Sequence, residues 1–319
     1  MTKVVAWWDR HQIVLYLVAI AAGAGGGMLF PGADRLDAAI MPVLGVLLYA
    51  TFLAVPFRTI ADAVRDWRFL VTALALNFVL VPVVVFGVTR FVAGDEAVLV
   101  GVLLVLLTPC VDYVIVFAGL AGGARERLLA VTPVLMLVQI VLLPAYLWLM
   151  AGPDVLASFD AAPFVEAFLL LIVAPLALAV ATQMLASRSR IGRAIESTAA
   201  TAMVPVMMLA LAVVVASQMA AVGNALTSVL TAVPIFIVFA VVMVPLGALT
   251  ARAMGLDASG IRAIVFSGVT RNSLVVLPIA IALPAAYALT PLVVVTQTLL
   301  ELLVMVVLVA VLPRVIRSG

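Results

Sequence analysis

Long apolar runs separated by short polar stretches make up almost the whole chain. Most runs are about 20 residues long, the length that an α-helix needs to cross the hydrocarbon core of a bilayer. The ninth and tenth runs touch, but Pro284 and the Thr290-Pro291 pair mark a turn between them. The pattern therefore predicts ten transmembrane helices. They lie at residues 12–30, 38–57, 68–92, 97–121, 129–151, 163–186, 200–220, 227–251, 259–287 and 289–313.

Polar residues interrupt two of these runs near their centres. The fourth run contains Thr108-Pro109-Cys110-Val111-Asp112, and a proline inside a helix removes a backbone donor and clashes with the preceding turn. The ninth run contains Ser267-Gly268-Val269-Thr270-Arg271-Asn272-Ser273. Irregular backbone at membrane depth is tolerated only where protein or a cavity surrounds it. We therefore expect two discontinuous helices, with breaks at Pro109 and Gly268, that face protein or a cavity.

The basic residues alternate between the two sides of the predicted bundle. Positively charged residues concentrate in the cytoplasmic loops of membrane proteins. One side carries fourteen of them, whereas the other carries Arg35 and Arg90, and Arg271 lies within a span. This predicts a multi-pass protein of the cell membrane with both termini in the cytoplasm. The fourteen are Lys3, Arg10, Arg58, Arg65, Arg68, Arg125, Arg127, Arg188, Arg190, Arg193, Arg252, Arg262, Arg314 and Arg317.

Five spans followed by five predict two repeats of opposite orientation, residues 1–151 and 152–319, within one membrane domain. Met41-Pro42-Val43 and Val204-Pro205-Val206 repeat at an offset of 163 residues, which carries Thr108-Pro109-Cys110 onto Arg271-Asn272-Ser273. Interrupted spans in corresponding positions of inverted repeats point to a transporter's binding site. We therefore expect the fourth and ninth helices to cross at their breaks.

Composition excludes several other classes of protein. Hydrophobic residues make up 67% of the chain and charged residues 10%, so no sizeable soluble domain remains. The net charge of +2 comes from loop arginines, which gives no reason to expect nucleic acid. The chain has no Walker loop and no hydrolase motif, and its single cysteine forms no internal disulfide and no cysteine-pair metal motif. We expect no enzyme activity, no metal site and no cofactor.

The candidate site residues each allow two interpretations. Asp112 and Arg271 can form a structural ion pair, or Asp112 can carry a coupling proton or cation while Arg271 holds an anion. Cys110 can be an inert small hydrophobe or a ligand for a thiophilic species. Glu301, with Gln297 one turn before it, can be a second proton site or hydrogen-bond a neighbouring helix. Asn77 and Gln139 are interpreted as interhelical hydrogen-bonding residues.

With ten spans, an inverted repeat and two polar breaks, the chain resembles the bile acid/arsenite/riboflavin transporter superfamily. Thr108-Pro109-Cys110 resembles the Pro-Cys of its arsenical-resistance (arsenite efflux) family. That resemblance implies export of trivalent arsenic against protons, with Cys110 coordinating the substrate. The arsenite family carries a glutamate where this chain has Arg271-Asn272-Ser273, and the arginine suits an anion better. The acids and amides with which the sodium-coupled bile acid branch binds sodium are largely missing.

These observations predict a secondary transporter, with arsenite efflux coupled to protons as the first hypothesis. The alternative is a sodium- or proton-coupled transporter of a small organic anion with a bile acid:sodium symporter-like fold. A membrane scaffold or sensor would not need two interrupted spans with charges at mid-depth, and no further motif supports an intramembrane enzyme. The predicted partners are the substrate, a coupling ion that is a proton rather than sodium, and the lipid bilayer. The predicted substrate-binding residues are Cys110, Arg271, Asn272, Thr108 and Ser273, and the predicted coupling residues are Asp112 and Glu301.

Overall fold

The computed structural model describes residues 3–29, 32–53, 66–111, 113–152 and 169–317. Within these ranges the chain forms helices and no β-strand, which confirms the all-α class. Asp112 and the loop residues Arg58 and Arg65 lie outside the described residues. The α-helices are α1 Lys3–Leu29, α2 Asp37–Leu53, α3 Trp67–Ala75, α4 Val81–Thr89, α5 Glu96–Leu106, α6 Tyr113–Leu120, α7 Arg125–Ala151, α8 Ala174–Ala186, α9 Arg190–Ala253, α10 Ala258–Val269, α11 Ser273–Ile281 and α12 Thr290–Val315.

Six helical segments in the described part are long and apolar enough to cross a membrane. Four of the predicted spans instead contain shorter apolar helices, Ala38–Ala50, Glu96–Leu106, Ala174–Ala186 and Ala258–Val269. Two of these end at the predicted breaks, and the other two lie near the ranges 54–65 and 153–168, which are not described. A multi-pass membrane protein is thus confirmed, while the count of ten and the inverted topology stay predictions.

One long helix differs from the sequence-based expectation of two. Helix α9 is continuous from Arg190 to Ala253 and contains both the seventh and the eighth predicted span. The residues between the two spans include Gly223 and Asn224, which are weak helix formers, but no proline, so the sequence there weakens a helix without forcing it to end.

The chain divides into two compact units, and each draws on both halves of the sequence. Unit 1 consists of Met1–Val55 and Ala161–Leu226, and unit 2 of Pro56–Asp160 and Thr227–Gly319. The predicted boundary between residues 151 and 152 separates two repeats, which is a different division, and it stays a prediction. In unit 1, α2 packs against α8.

Unit 2 contains both interrupted spans. The residues of α5 from Ala97 to Leu106 are all buried, as are those of α10 from Gly260 to Val269. A helix that is apolar on every side is normally enclosed by others, and α5 packs against α12 while α10 packs against α6. Unit 2 therefore surrounds both breaks with protein.

The third predicted span contains a π-helical turn. Leu76–Leu80 forms this turn between α3 and α4, so the span holds one residue more than a regular helix of the same rise. Such turns are rare and occur often at functional sites. The turn carries Asn77, which is fully buried.

Candidate functional site

The two interruptions lie against each other in unit 2. The first separates α5 from α6, and the second separates α10 from α11. Pro109 and Arg271 form an antiparallel β-bridge. The backbone N–H of Cys110 donates to the Thr270 carbonyl at 3.3 Å, and that of Asn272 donates to the Thr108 carbonyl at 2.8 Å. The predicted contact between the two breaks is thus observed, and we call this contact the crossing.

The crossing satisfies backbone groups that the breaks release. An unpaired N–H or C=O in a water-free interior costs free energy comparable to a lost hydrogen bond. Here each broken segment supplies one donor and one acceptor to the other. The antiparallel pairing joins Thr108 to Asn272, Pro109 to Arg271 and Cys110 to Thr270, so that Thr108 and Thr270 occupy equivalent positions 162 residues apart. The local offset is one residue less than the 163 predicted from the Pro-Val echo.

Threonine hydroxyls occupy matching positions at the ends of the two half-helices. Thr108 donates its hydroxyl to the Leu104 carbonyl and Thr270 donates to the Phe266 carbonyl, both at 2.7 Å. Both side chains are fully buried. Each hydroxyl bonds a carbonyl four residues back, and the Phe266 carbonyl also accepts the Thr270 backbone N–H at 2.9 Å. Both threonine hydroxyls thus have partners within the last turns of the half-helices at the crossing.

Asn272 begins the second half-helix, α11. Its side-chain oxygen accepts from the Val275 backbone N–H at 3.2 Å, the usual role of an asparagine at a helix N-terminus. Its amide nitrogen Nδ2 is buried and has no hydrogen-bond partner among the described residues. A buried donor thus remains next to the N-terminus of α11, where the helix carries a partial positive charge.

A polar cluster on α12 faces the second break. Glu301, Gln297 and Thr298 are all buried. The Glu301 carboxylate accepts the backbone N–H of Arg271 at 2.7 Å and also accepts from the Gln297 amide. Thr298 donates its hydroxyl to the Ser273 hydroxyl at 2.7 Å. Glu301 and Gln297 therefore share a face, as predicted, and Glu301 contacts the crossing directly.

Arg271 is fully buried, and its guanidinium points back along α10. Its nitrogen Nη2 donates to the carbonyls of Ser267 at 2.7 Å and Gly268 at 2.6 Å, and to the side-chain oxygen of Asn77 at 2.9 Å. Its other terminal nitrogen, Nη1, donates to the Leu106 carbonyl at 3.3 Å. The guanidinium carbon lies 5.5 Å from the centre of the Phe239 ring, within the range of a cation–π contact.

The structure thus brings most of the predicted site residues together. Cys110 is buried in the first break. Gly268 lies in the last turn of α10 rather than in the break itself, and its carbonyl faces Arg271. The sequence analysis did not place Asn77 at the site, although an asparagine in an otherwise apolar span was the signal. Its predicted interhelical hydrogen bond is present, because Asn77 donates to the Ser267 hydroxyl at 2.9 Å.

Comparison with known proteins adds a family to this geometry. The sequence profile of the sodium bile acid symporter family matches residues 41–228. This chain belongs to the sodium bile acid symporter family. No curated protein matches the chain. Members of the sodium bile acid symporter family are transporters and not enzymes, so the prediction of a membrane transporter is confirmed, while arsenite efflux stays a prediction.

Proposed function

We propose that this chain is a secondary active transporter that couples the movement of a small organic anion to protons. The anion binds at the crossing. The supporting observation is the buried amide nitrogen of Asn272, which has no partner in the described part of the chain and lies at the N-terminus of α11. A buried donor without a partner costs about 1–3 kcal/mol. A carboxylate oxygen would accept from it and would also gain from the partial positive charge of the helix end.

In this proposal the residues of the two breaks form the substrate site. Asn272 and Ser273 contribute side-chain groups from the second break. Thr108 and Cys110 contribute side-chain groups from the first break. Arg271 favours an anion through its positive charge, while its guanidinium stays bonded to oxygen atoms of α10 and the π turn. Pro109 interrupts the helix of the fourth predicted span, after α5. The protein lies in the cell membrane, with both termini in the cytoplasm.

Glu301 is the proposed proton carrier. Its carboxylate accepts the backbone N–H of Arg271, so its protonation state acts directly on the crossing. Hydrogen bonds to an ionised acceptor are roughly twice as strong as those between neutral groups. Protonation of Glu301 would therefore weaken this bond and loosen the second break from α12. Asp112 is the second proposed coupling residue, and it follows Cys110 by two positions in the sequence.

Proton-linked transport in proteoliposomes tests this proposal. Vesicles loaded with a pH-sensitive dye are mixed with lactate, succinate or taurocholate, and we expect at least one of these anions to change the internal pH. Glu301→Gln keeps the size of the side chain and an oxygen acceptor for the Arg271 N–H. We expect this variant to lose the pH change and to retain exchange of labelled anion for unlabelled anion.

The control for this test is Glu126→Gln, the same chemical change at an exposed position on α7. It should transport as the wild type does. If Glu301→Gln still couples anion uptake to proton movement, then Glu301 is not the proton carrier. If none of the three anions exchanges across wild-type vesicles, the proposed substrate class is wrong.

A second candidate substrate is arsenite, because the only cysteine lies in the first break. Cys110 is 1% exposed and its backbone donates to Thr270 across the crossing. A thiolate is a strong ligand for soft, thiophilic species. We expect everted vesicles with the wild-type protein to accumulate arsenite in response to a pH gradient, and Cys110→Ser to abolish this. Equal accumulation by both proteins would remove the thiol from the mechanism.

A further inference from the structure

Membership in a family of sodium symporters raises the question of where a sodium ion would fit. Hard cations bind oxygen ligands, and in transporters with broken helices the carbonyls at the end of a half-helix coordinate the coupling ion. In unit 2 such a set of oxygens lies at the carboxyl end of α10. We call it the oxygen cage, and it consists of the Ser267 and Gly268 carbonyls and the side-chain oxygen of Asn77.

The oxygen cage already contains a cationic group of the chain itself. The nitrogen Nη2 of Arg271 lies 2.6 to 2.9 Å from all three oxygens. A sodium ion bound by the same three atoms would overlap this nitrogen. The residues present therefore do not fit a sodium ion in the cage while Arg271 occupies it.

Several contacts stabilise the guanidinium in this position. The carboxyl end of α10 carries a partial negative charge, which favours a cation. Nη1 adds a hydrogen bond to the Leu106 carbonyl, and the Phe239 ring lies beneath the guanidinium carbon. A buried charge is costly unless it is paired and hydrogen-bonded. These contacts give both terminal nitrogens of the guanidinium hydrogen-bond acceptors within the protein.

The orientation of Asn77 agrees with a cation in the cage. Its amide nitrogen donates to the Ala73 carbonyl at 3.0 Å and to the Ser267 hydroxyl, so its oxygen must face Arg271. The π-helical turn at Leu76–Leu80 carries this amide. The cage is thus composed of acceptors alone, which is the arrangement that a cation requires.

We propose that the guanidinium of Arg271 is a tethered cation that takes the place of a sodium ion in the oxygen cage of Asn77, Ser267 and Gly268. Arginine stays protonated at all physiological pH values, so this charge cannot leave as a transported ion would. The cage is therefore permanently occupied, and no sodium ion is coupled to transport there. The consequence for coupling rests on the proposed function, whereas the occupancy of the cage does not.

A binding measurement tests the occupancy without any transport assay. The melting temperature of the purified protein in detergent is measured in choline chloride and in NaCl, at the same ionic strength of about 200 mM. We expect no difference for the wild type. Arg271→Ala removes the guanidinium from the cage. Arg271→Gln removes its positive charge and adds a side-chain oxygen. Each variant should gain a saturable stabilisation by NaCl of about 3 °C or more.

Two further variants serve as controls. Arg271→Lys restores a cation next to the cage and should show no response to sodium. Arg262→Ala removes another buried guanidinium of unit 2, which donates to the Ile316 and Gly122 carbonyls. It should lower the melting temperature equally in both salts, since its loss opens no set of three converging acceptors.

The outcomes separate the proposal from its alternatives. A sodium response of Arg271→Ala or Arg271→Gln that Arg271→Lys lacks supports the tethered cation. A wild-type response as large as that of the variants would overturn it, and so would the absence of any response in both neutral variants. Because the readout is ion binding, these results stand whether or not an organic anion is transported.

Discussion

Asn77 joins the third predicted span to α10 and to the crossing through one side-chain amide. The nitrogen donates to Ala73 within its own span and to Ser267 on α10, and the oxygen accepts from Arg271. All three hydrogen bonds are buried. A polar group with every partner in place specifies one packing arrangement, whereas removing a partner leaves another polar group unsatisfied.

Replacing Asn77 with leucine should therefore destabilise the protein strongly. Asn77→Leu removes an acceptor of the buried Arg271 guanidinium, and losing a hydrogen bond to a charged group costs about 1.5–3 kcal/mol. The measurement is the melting temperature in detergent.

Gln139→Leu on α7 is the matched control. Gln139 is also a buried amide, but its side-chain oxygen has no hydrogen-bond partner among the residues that the structure describes. Removing it should leave the stability unchanged within about 1 kcal/mol or increase it. Equal losses for the two variants would contradict the role assigned to Asn77.

At the scale of single residues, the sequence predicted which residues contact one another. It did not predict the direction in which their side chains point. Pro109 and the polar run around Arg271 stand out because they break apolar patterns, and both breaks are present. The direction of the Arg271 side chain depends on Asn77 and Leu106. These residues are 194 and 165 positions away in the chain, and no local pattern encodes such a contact.

Among the elements, α5 and α12 approach each other closely at Gly101. A Cβ atom added to Gly101 would lie 2.8 Å from the Cβ of Val293 and 2.9 Å from its Cγ1. A β-branched side chain has little freedom to move away. The absence of a side chain at Gly101 therefore sets the distance between the buried first half-helix and the helix that carries Glu301.

Gly101→Ala should push these two helices apart. Overpacking of a dense core costs about 1–3 kcal/mol, while alanine in place of glycine returns about 1 kcal/mol of helix propensity. We therefore expect a net loss of stability, together with reduced transport, because α12 carries the Glu301 contact to the crossing. Thermal unfolding and exchange in proteoliposomes measure the two effects.

The control lies at Gly87 of α4, where an added Cβ atom meets no other atom within 4 Å. Gly87→Ala should be neutral or slightly stabilising, since only the propensity term remains. Should both alanines stabilise the protein, the close approach of α5 to α12 would not be limiting.

The apolar helices of a membrane protein followed from the sequence, because a run of about 20 apolar residues forms an α-helix in lipid, while the count of ten spans stays a prediction. Two details within the spans did not follow. The π turn at Leu76–Leu80 has no strong local signal. The turn carries Asn77, which contacts Ser267 of α10, 190 residues away in the chain. The continuity of α9 did not follow because Gly223 and Asn224, between the two apolar runs, are weak helix formers, although no proline ends the helix there.

At the scale of the whole molecule, Arg127 connects three segments of unit 2 outside the candidate spans. Its Nε lies 3.1 Å from the Asp66 carboxylate, and its Nη1 lies 2.5 Å from that of Asp257. Asp66 precedes α3, Arg127 lies in the first turns of α7, and Asp257 precedes α10. The starts of these three helices are thus joined by one guanidinium.

This group of charges predicts a dependence of stability on pH. A hydrogen bond from Ser259 and then the interaction with Arg127 lower the pKa of Asp257, although partial burial opposes them. A carboxylate with a lowered pKa in the folded state stabilises the fold above its unfolded pKa, and this contribution is lost as the pH falls through the folded value. The stabilisation should be small, because the side chain is half-exposed and solvent screens it.

Melting temperatures from about pH 7 to pH 3 measure this effect. The wild type should melt above Asp257→Asn at neutral pH, and the difference should vanish as the solution is acidified below about pH 4. Ser259→Ala should show a smaller difference with the same trend. A difference that grows on acidification would show that Asp257 is not stabilised by these partners.

The division into two units was the feature of the whole molecule that the sequence did not reveal. Hydrophobic runs and loop charges describe order along the chain, so they led to halves of consecutive residues. Units 1 and 2 are a different division, by packing, in which each unit combines separate stretches of the chain, and the two repeats stay a prediction. Which helices associate depends on side-chain packing between distant segments, as between Gly101 and Val293.

The crossing is joined by main-chain atoms, through the N–H groups of Cys110 and Asn272 and the carbonyls of Thr270 and Thr108. Every amino acid except proline provides the same N–H group, and every one provides the carbonyl. Substitutions at these four positions other than to proline therefore leave the main-chain donors and acceptors of the junction in place, although they remove side-chain contacts such as the Asn272 cap of α11. A few point substitutions can in this way change the substrate that the same fold binds.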